Sequence, residues 1–84
     1  MKPVTIYTTQ TCGFCLRAKQ LLGERSIPYQ EIDVTGDDEA RERLVEKSGG
    51  QRTVPQIFIG EQPIGGYTDL AQLDREGKLQ AMLG

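Results

Sequence analysis

Cys12 and Cys15 are the chain's only cysteines, set as Thr11-Cys12-Gly13-Phe14-Cys15 between a strand-like run and a helix-like one. Thiols at this spacing lie one helical turn apart and can close a disulfide without moving the backbone. The order strand, C-x-x-C, helix therefore puts Cys12 at a helix start, and every other element has to be arranged around that junction. A bridge closing so small a loop contributes only about 2 kcal/mol as a staple. A tetrahedral zinc site needs four ligands, and the chain has no histidine and no third cysteine. Zinc within one chain is thereby disfavoured, and redox or cluster chemistry leads.

The runs on either side supply the elements. Val4-Thr5-Ile6-Tyr7-Thr8 is β-branched and aromatic and predicts a strand. From Phe14, the positions Phe14, Cys15, Ala18, Leu21 and Leu22 form an apolar helical stripe opposite Arg17, Lys19, Gln20 and Glu24. Pro28 to Val34 reads as a second strand, reached by a crossover long enough for a right-handed βαβ unit, so the two strands should run parallel. Asp37, Asp38 and Glu39 open a second helix whose later turns carry Arg41, Arg43 and Lys47, and Ser48-Gly49-Gly50 ends it. Gln56-Ile57-Phe58-Ile59, Gly60-Glu61 and Gln62-Pro63-Ile64 read as a hairpin, with Pro63 marking an edge strand. Thr68 or Asp69 is expected to cap a last helix that Gly77 stops, with Leu79, Met82 and Leu83 in a short terminal turn.

At 84 residues the chain is expected to be one domain, 1–84, burying somewhat over ~60% of its unfolded surface. A formal charge of -2 gives no electrostatic reason for nucleic acid or an anionic membrane as partner. The N-terminus runs straight into the first strand without an apolar signal core, and no stretch is long enough to span a bilayer. The expected compartment is the cytoplasm, whose reducing poise favours catalytic over structural disulfides.

The order β-α-β-α-β-β-α, together with Thr11-Cys12-Gly13-Phe14-Cys15, Thr53-Val54-Pro55 and Gly65-Gly66-Tyr67-Thr68-Asp69, resembles the glutaredoxins over nearly the whole chain. The resemblance implies an α/β thioredoxin-like fold: a four-stranded mixed sheet flanked by helices. It also implies thiol–disulfide exchange with glutathione as partner and with disulfide-containing or glutathionylated proteins as substrates. Cys12 would be the nucleophile, activated by the helix start in the absence of any histidine base, and Cys15 the resolving thiol. Val54 before a cis Pro55 would pair main chain to main chain with glutathione, beside Phe14 and Thr53. Gly66, Tyr67, Thr68 and Asp69 would form an anion site for the γ-glutamyl end, with Asp69 either capping the helix or meeting the ligand's ammonium, or both. Arg41 fits the family position for the glycine carboxylate and reads equally as a solvated helix arginine.

The chain departs from the common dithiol pattern in carrying Gly13 and Phe14 where Pro and Tyr are usual. Cys-Gly-Phe is the signature of the monothiol group, yet Cys15 stands where that group has serine. Thr9 replaces a lysine often found before the motif, and Tyr67 stands where relatives often have a smaller residue and is expected to crowd or stack on the ligand. Two functional readings result. The first is a glutathione-dependent oxidoreductase, monomeric when cluster-free. The second is a dimer bridged by a [2Fe-2S] cluster through both Cys12 residues and two glutathione thiolates, its turn loosened by Gly13. A thioredoxin-type reductant recycled by a flavoprotein ranks third, because the motif is not Cys-Gly-Pro-Cys.

Overall fold

A computed structural model describes all residues, Met1–Gly84. Its elements run β1 (Val4–Thr8), α1 (Gly13–Glu24), β2 (Gln30–Asp33), α2 (Asp38–Lys47), β3 (Gln56–Ile59), β4 (Gln62–Gly65), α3 (Tyr67–Arg75) and α4 (Leu79–Leu83). The sheet order is β2-β1-β3-β4. β1 pairs with β2 in parallel and with β3 antiparallel, and β3 pairs antiparallel with β4. This is the thioredoxin-like mixed sheet, with Pro63 on the edge strand, where its missing N–H leaves no gap in the ladder.

Alternation along the two central strands sends side chains to both faces of the sheet. Val4, Ile6, Ile57 and Ile59 pack on one face with Ala18 and Leu22 of α1, Leu70 of α3, and Leu79 and Leu83 of α4. Tyr7 and Phe58 turn to the other face, where Ala40 and Leu44 of α2 and Val34 cover them. The Tyr7 and Phe58 rings meet edge to face at 5.6 Å. α1 and α3 therefore share a face, and their N-termini come together at one end of the sheet. A bidentate pair from Arg25 to Asp74, at 2.8 and 2.9 Å, fastens the far end of α1 to α3.

Two boundaries and one burial assignment differ from the sequence expectation. β2 is shorter than 28–34, because Pro28 cannot donate to the ladder, although Val34 N–H still reaches Thr8 O at 2.8 Å. α3 starts at Tyr67 with Gly66 as its N-cap, ahead of both Thr68 and Asp69. The extended Gly66 turns the chain into the helix, and the Asp69 carboxylate reaches back to accept from Gly66 N–H at 3.0 Å. Phe14, assigned above to the apolar stripe of α1, is 56% exposed, since the stripe that faces the sheet is Cys15, Ala18 and Leu22. No helix is long and apolar enough to cross a membrane.

The side of α1 toward β2 is held by charge. The buried Thr8 hydroxyl donates to Glu31 Oε2 at 2.7 Å, and Lys19 Nζ donates to the same oxygen at 3.0 Å. The Thr8 hydrogen bond, then the Lys19 contact, hold the Glu31 carboxyl below the usual carboxylate range. A carboxyl whose folded pKa is depressed adds stability above its unfolded value, about 4.3, and that stability is lost as pH falls through the folded value. Glu31→Gln is therefore expected to be less stable than the parent at neutral pH and to converge with it in acid. Urea midpoints measured across that range check this, and parallel curves at every pH would contradict it.

Candidate active site

Cys12 occupies the N-cap of α1 with extended backbone, φ -143° and ψ 103°. An N-cap side chain accepts from the free N–H groups of the first turn, a position usually filled by Ser, Thr, Asp or Asn oxygen. Here the acceptor is sulfur, and Cys15 N–H points at Cys12 Sγ from 3.0 Å. The two cysteines are joined as a disulfide with Cα atoms 5.2 Å apart. Cys12 is half-buried, whereas Cys15 is 1% exposed, under α1. An approaching thiol or disulfide can therefore reach the first sulfur only.

Cys12 Sγ lies 3.8 Å from the carbonyl oxygen of Val54, and the Val54–Pro55 bond is cis. That loop and the N-terminus of α3 bound a groove of about 560 Å³, within the range of small-molecule sites. Phe14, Thr53, Val54 and Pro55 line one side of it, and Gly66, Tyr67, Thr68 and Asp69 the other. Of the sequence-predicted ligand residues, Cys12 and Arg41 lie outside the lining; Cys12 stands next to it, through the contact with Val54 O, and Arg41 is further away on α2. Arg41 is half-buried there, with Nη2 donating to Arg52 O at 3.3 Å. No group of three or more His, Cys, Asp or Glu side chains comes together as a metal cluster.

At the α3 end the N–H groups of Tyr67, Thr68 and Asp69 have no partner within the helix. Gly65 lets the chain reach that position. Its φ of +113° is one that side chains rarely adopt, and a Cβ there would run into the Asp69 carboxylate. Tyr67, expected to crowd or stack on a ligand, stacks on Phe14 with centroids 6.1 Å apart and planes at 26°. The wide aromatic at this position thus joins α3 to the first turn of α1.

Three polar groove residues escaped the sequence reading. Ser48 Oγ donates to Gln51 O at 2.9 Å and accepts from Gln51 N–H at 3.1 Å, which folds the 48–51 segment into a tight rim. Gln56 is 4% exposed and donates to Thr53 Oγ1 at 3.2 Å. The signal for Gln56 was available: a lone amide opening an otherwise apolar strand must find a partner when buried. Ser48 and Gln51 carried no signal beyond ordinary turn chemistry.

A C-x-x-C at a helix start beside a cis proline, on this sheet, defines a dithiol–disulfide site of the thioredoxin-like class. Residues 4–64 match the family described as glutaredoxin. The chain is 52% identical over 83 residues to a glutaredoxin of Pseudomonas aeruginosa, covering 99% of this chain and 98% of that one. It is 46% identical over 83 residues to glutaredoxin 3 of Escherichia coli, covering 99% of each. Among solved structures, a buckwheat glutaredoxin–glutathione complex superposes with a TM-score of 0.87 at 35% identity, covering 98% of this chain and 76% of that one. The solution structure of glutaredoxin from Brucella melitensis gives 0.85 at 44% identity, covering 99% and 89%. The chain belongs to the glutaredoxin family, whose chemistry is thiol–disulfide oxidoreduction.

Gly65→Ala is expected to destabilise the fold by about 1 kcal/mol or more, since it strains φ and displaces Asp69. Combining it with Asp69→Ala should cost less than the sum of the two single changes, because the clash is then absent. Thermal unfolding of the two single variants and the double variant measures this, and strict additivity would contradict the contact.

Proposed function

We propose that this protein reduces protein–glutathione mixed disulfides and protein disulfides, with glutathione as the thiol that recharges it. The observation that carries the reading is Cys12 Sγ at the start of α1, under the Cys15 N–H and against the carbonyl of Val54, which lines the groove. Backbone N–H groups and the positive end of the helix dipole favour a thiolate there. That thiolate attacks the glutathione sulfur of a mixed disulfide. The Cys12–glutathione bond forms as the protein–sulfur bond breaks, and the departing protein thiolate takes up a proton. A second glutathione thiolate then attacks the enzyme-bound glutathione sulfur, releasing oxidised glutathione and restoring the Cys12 thiolate. With a protein disulfide, Cys12 forms a mixed disulfide with the substrate. Cys15 then loses its proton and displaces the substrate thiol, leaving the Cys12–Cys15 disulfide. Two glutathiones reduce that bond in turn.

The groove suits glutathione at each end. The cysteine of the ligand lies along the Val54 main chain, as in strand addition. Its γ-glutamyl carboxylate meets the free N–H groups of Thr68 and Asp69, and the Asp69 carboxylate meets the adjacent ammonium. Thr53 borders the backbone path, and Arg41, close to Arg52 O, is assigned to the glycine carboxylate. The buckwheat relative was solved as a glutathione complex, which supports this ligand. The chemistry belongs to a reducing compartment, and we assign the protein to the cytoplasm.

A [2Fe-2S] centre takes four cysteine-type thiolates. Cys15 is buried beneath α1, so one chain offers Cys12 alone and three ligands would come from outside it. The oxidoreductase reading needs from the chain only Cys12 and Cys15, which it brings together, with glutathione as co-substrate.

Cys12→Ser is expected to abolish turnover of glutathionylated substrates. Cys15→Ser is expected to retain that turnover and to lose mainly the two-thiol reduction of protein disulfides. Assays of the purified variants on both substrate types check the assignment, and equal loss of deglutathionylation in the two would overturn it.

A further inference from the structure

Two exposed residues of α1, Leu16 and Arg17, remain outside the groove chemistry and, with the groove-lining Phe14, form a surface beside the reacting sulfur. Leu16 is 65% exposed and Phe14 56%, two large apolar side chains held in water at the first turn of a helix. Leu16 is one turn on from Cys12 along the same face, its N–H donating to Cys12 O at 3.2 Å. Phe14 belongs to the groove lining and Leu16 does not. Arg17 follows, its guanidinium 5.6 Å from the centre of the Phe14 ring. The ion pairs of the chain are Lys19–Glu31, Arg25–Asp74 and Lys78–Glu76, which leaves Arg17 without a counter-charge. α1 carries no acidic residue before Glu24. The patch is therefore apolar with a single unpaired cation, in a chain of net charge -2.

We infer that Leu16 and Arg17 select the protein substrate: they dock a turn-like segment whose reacting cysteine is followed by an apolar side chain and then by a carboxylate. This rests on the oxidoreductase reading above. The groove accommodates the glutathione half of a mixed disulfide, so the protein half lies outside it, where Leu16 and Arg17 are exposed beside Cys12. Arg17 lies five residues beyond Cys12, about 7.5 Å along the helix axis, a step that two residues of the substrate chain and the reach of a carboxylate side chain cover. The apolar side chain between them covers Leu16, and the carboxylate supplies the charge that Arg17 lacks.

The test uses glutathionylated peptides that differ only after the cysteine, Leu-Asp against Leu-Lys and Ser-Asp, with the small glutathione–hydroxyethyl mixed disulfide as control. The parent should turn over the Leu-Asp peptide with a kcat/KM roughly five- to tenfold above the Leu-Lys peptide, a preference that fades with added salt. Arg17→Glu should reverse that order and Arg17→Lys should keep it. Leu16→Ser should remove the advantage of Leu-Asp over Ser-Asp, and all three variants should match the parent on the small control. Unchanged peptide preferences with the control intact would overturn the docking surface alone. A parent inactive on every substrate, the control included, would overturn the underlying reading and the docking role with it. A dimer in sedimentation that Leu16→Ser dissolves would assign the patch to self-association and overturn the inference as well.

Discussion

The contact on which the site depends is the N–H of Cys15 directed at the sulfur of Cys12. A helix start leaves several N–H groups without partners, and most chains fill the cap with an oxygen. Here a sulfur fills it, so the group that completes the helix is also the group we propose as the nucleophile. A thiol is a weak acceptor and a thiolate a strong one, so the helix end gains most when Cys12 is ionised. Structure and reactivity are thus coupled through one hydrogen bond, without a histidine anywhere in the chain.

The remainder of the fold serves to keep that helix end still and to furnish its surroundings. β1 delivers Cys12 from the centre of the sheet, between β2 and β3. α1 and α3 bury their apolar faces against the same side of the sheet, and this brings Phe14 and Tyr67 into a stack at one end while Arg25 and Asp74 close the other. The loop before β3 supplies the Val54 carbonyl. Two walls of the groove therefore come from elements far apart in sequence, and their spacing is set by packing in the core.

Much of this was legible from residue order. The strand, C-x-x-C, helix junction, the parallel β1–β2 pair and the edge position of Pro63 follow from local chemistry that acts within a few residues. The conformation of Val54–Pro55 came through the resemblance, since a lone Val-Pro reads as an ordinary turn. What escaped depends on contacts between distant elements. Phe14 fits the apolar periodicity of α1, yet it is lifted off the core because Cys15 and Ala18 take the inward positions. Tyr67 meets Phe14 across the groove, a contact between helices that no spacing within either one reveals. The start of α3 moved to Gly66 because Asp69 reaches backward to cap it, whereas Thr68 or Asp69 was the more conventional candidate for the cap itself.

The central claim, that the start of α1 holds Cys12 as a thiolate, is tested most directly by titrating that thiol. In the reduced Cys15→Ser chain, where Cys12 is the sole thiol, the ultraviolet thiolate absorbance followed against pH reports its ionisation. The account predicts a midpoint clearly below the free-cysteine value of about 8.5. A midpoint at or above that value in a folded protein would contradict it.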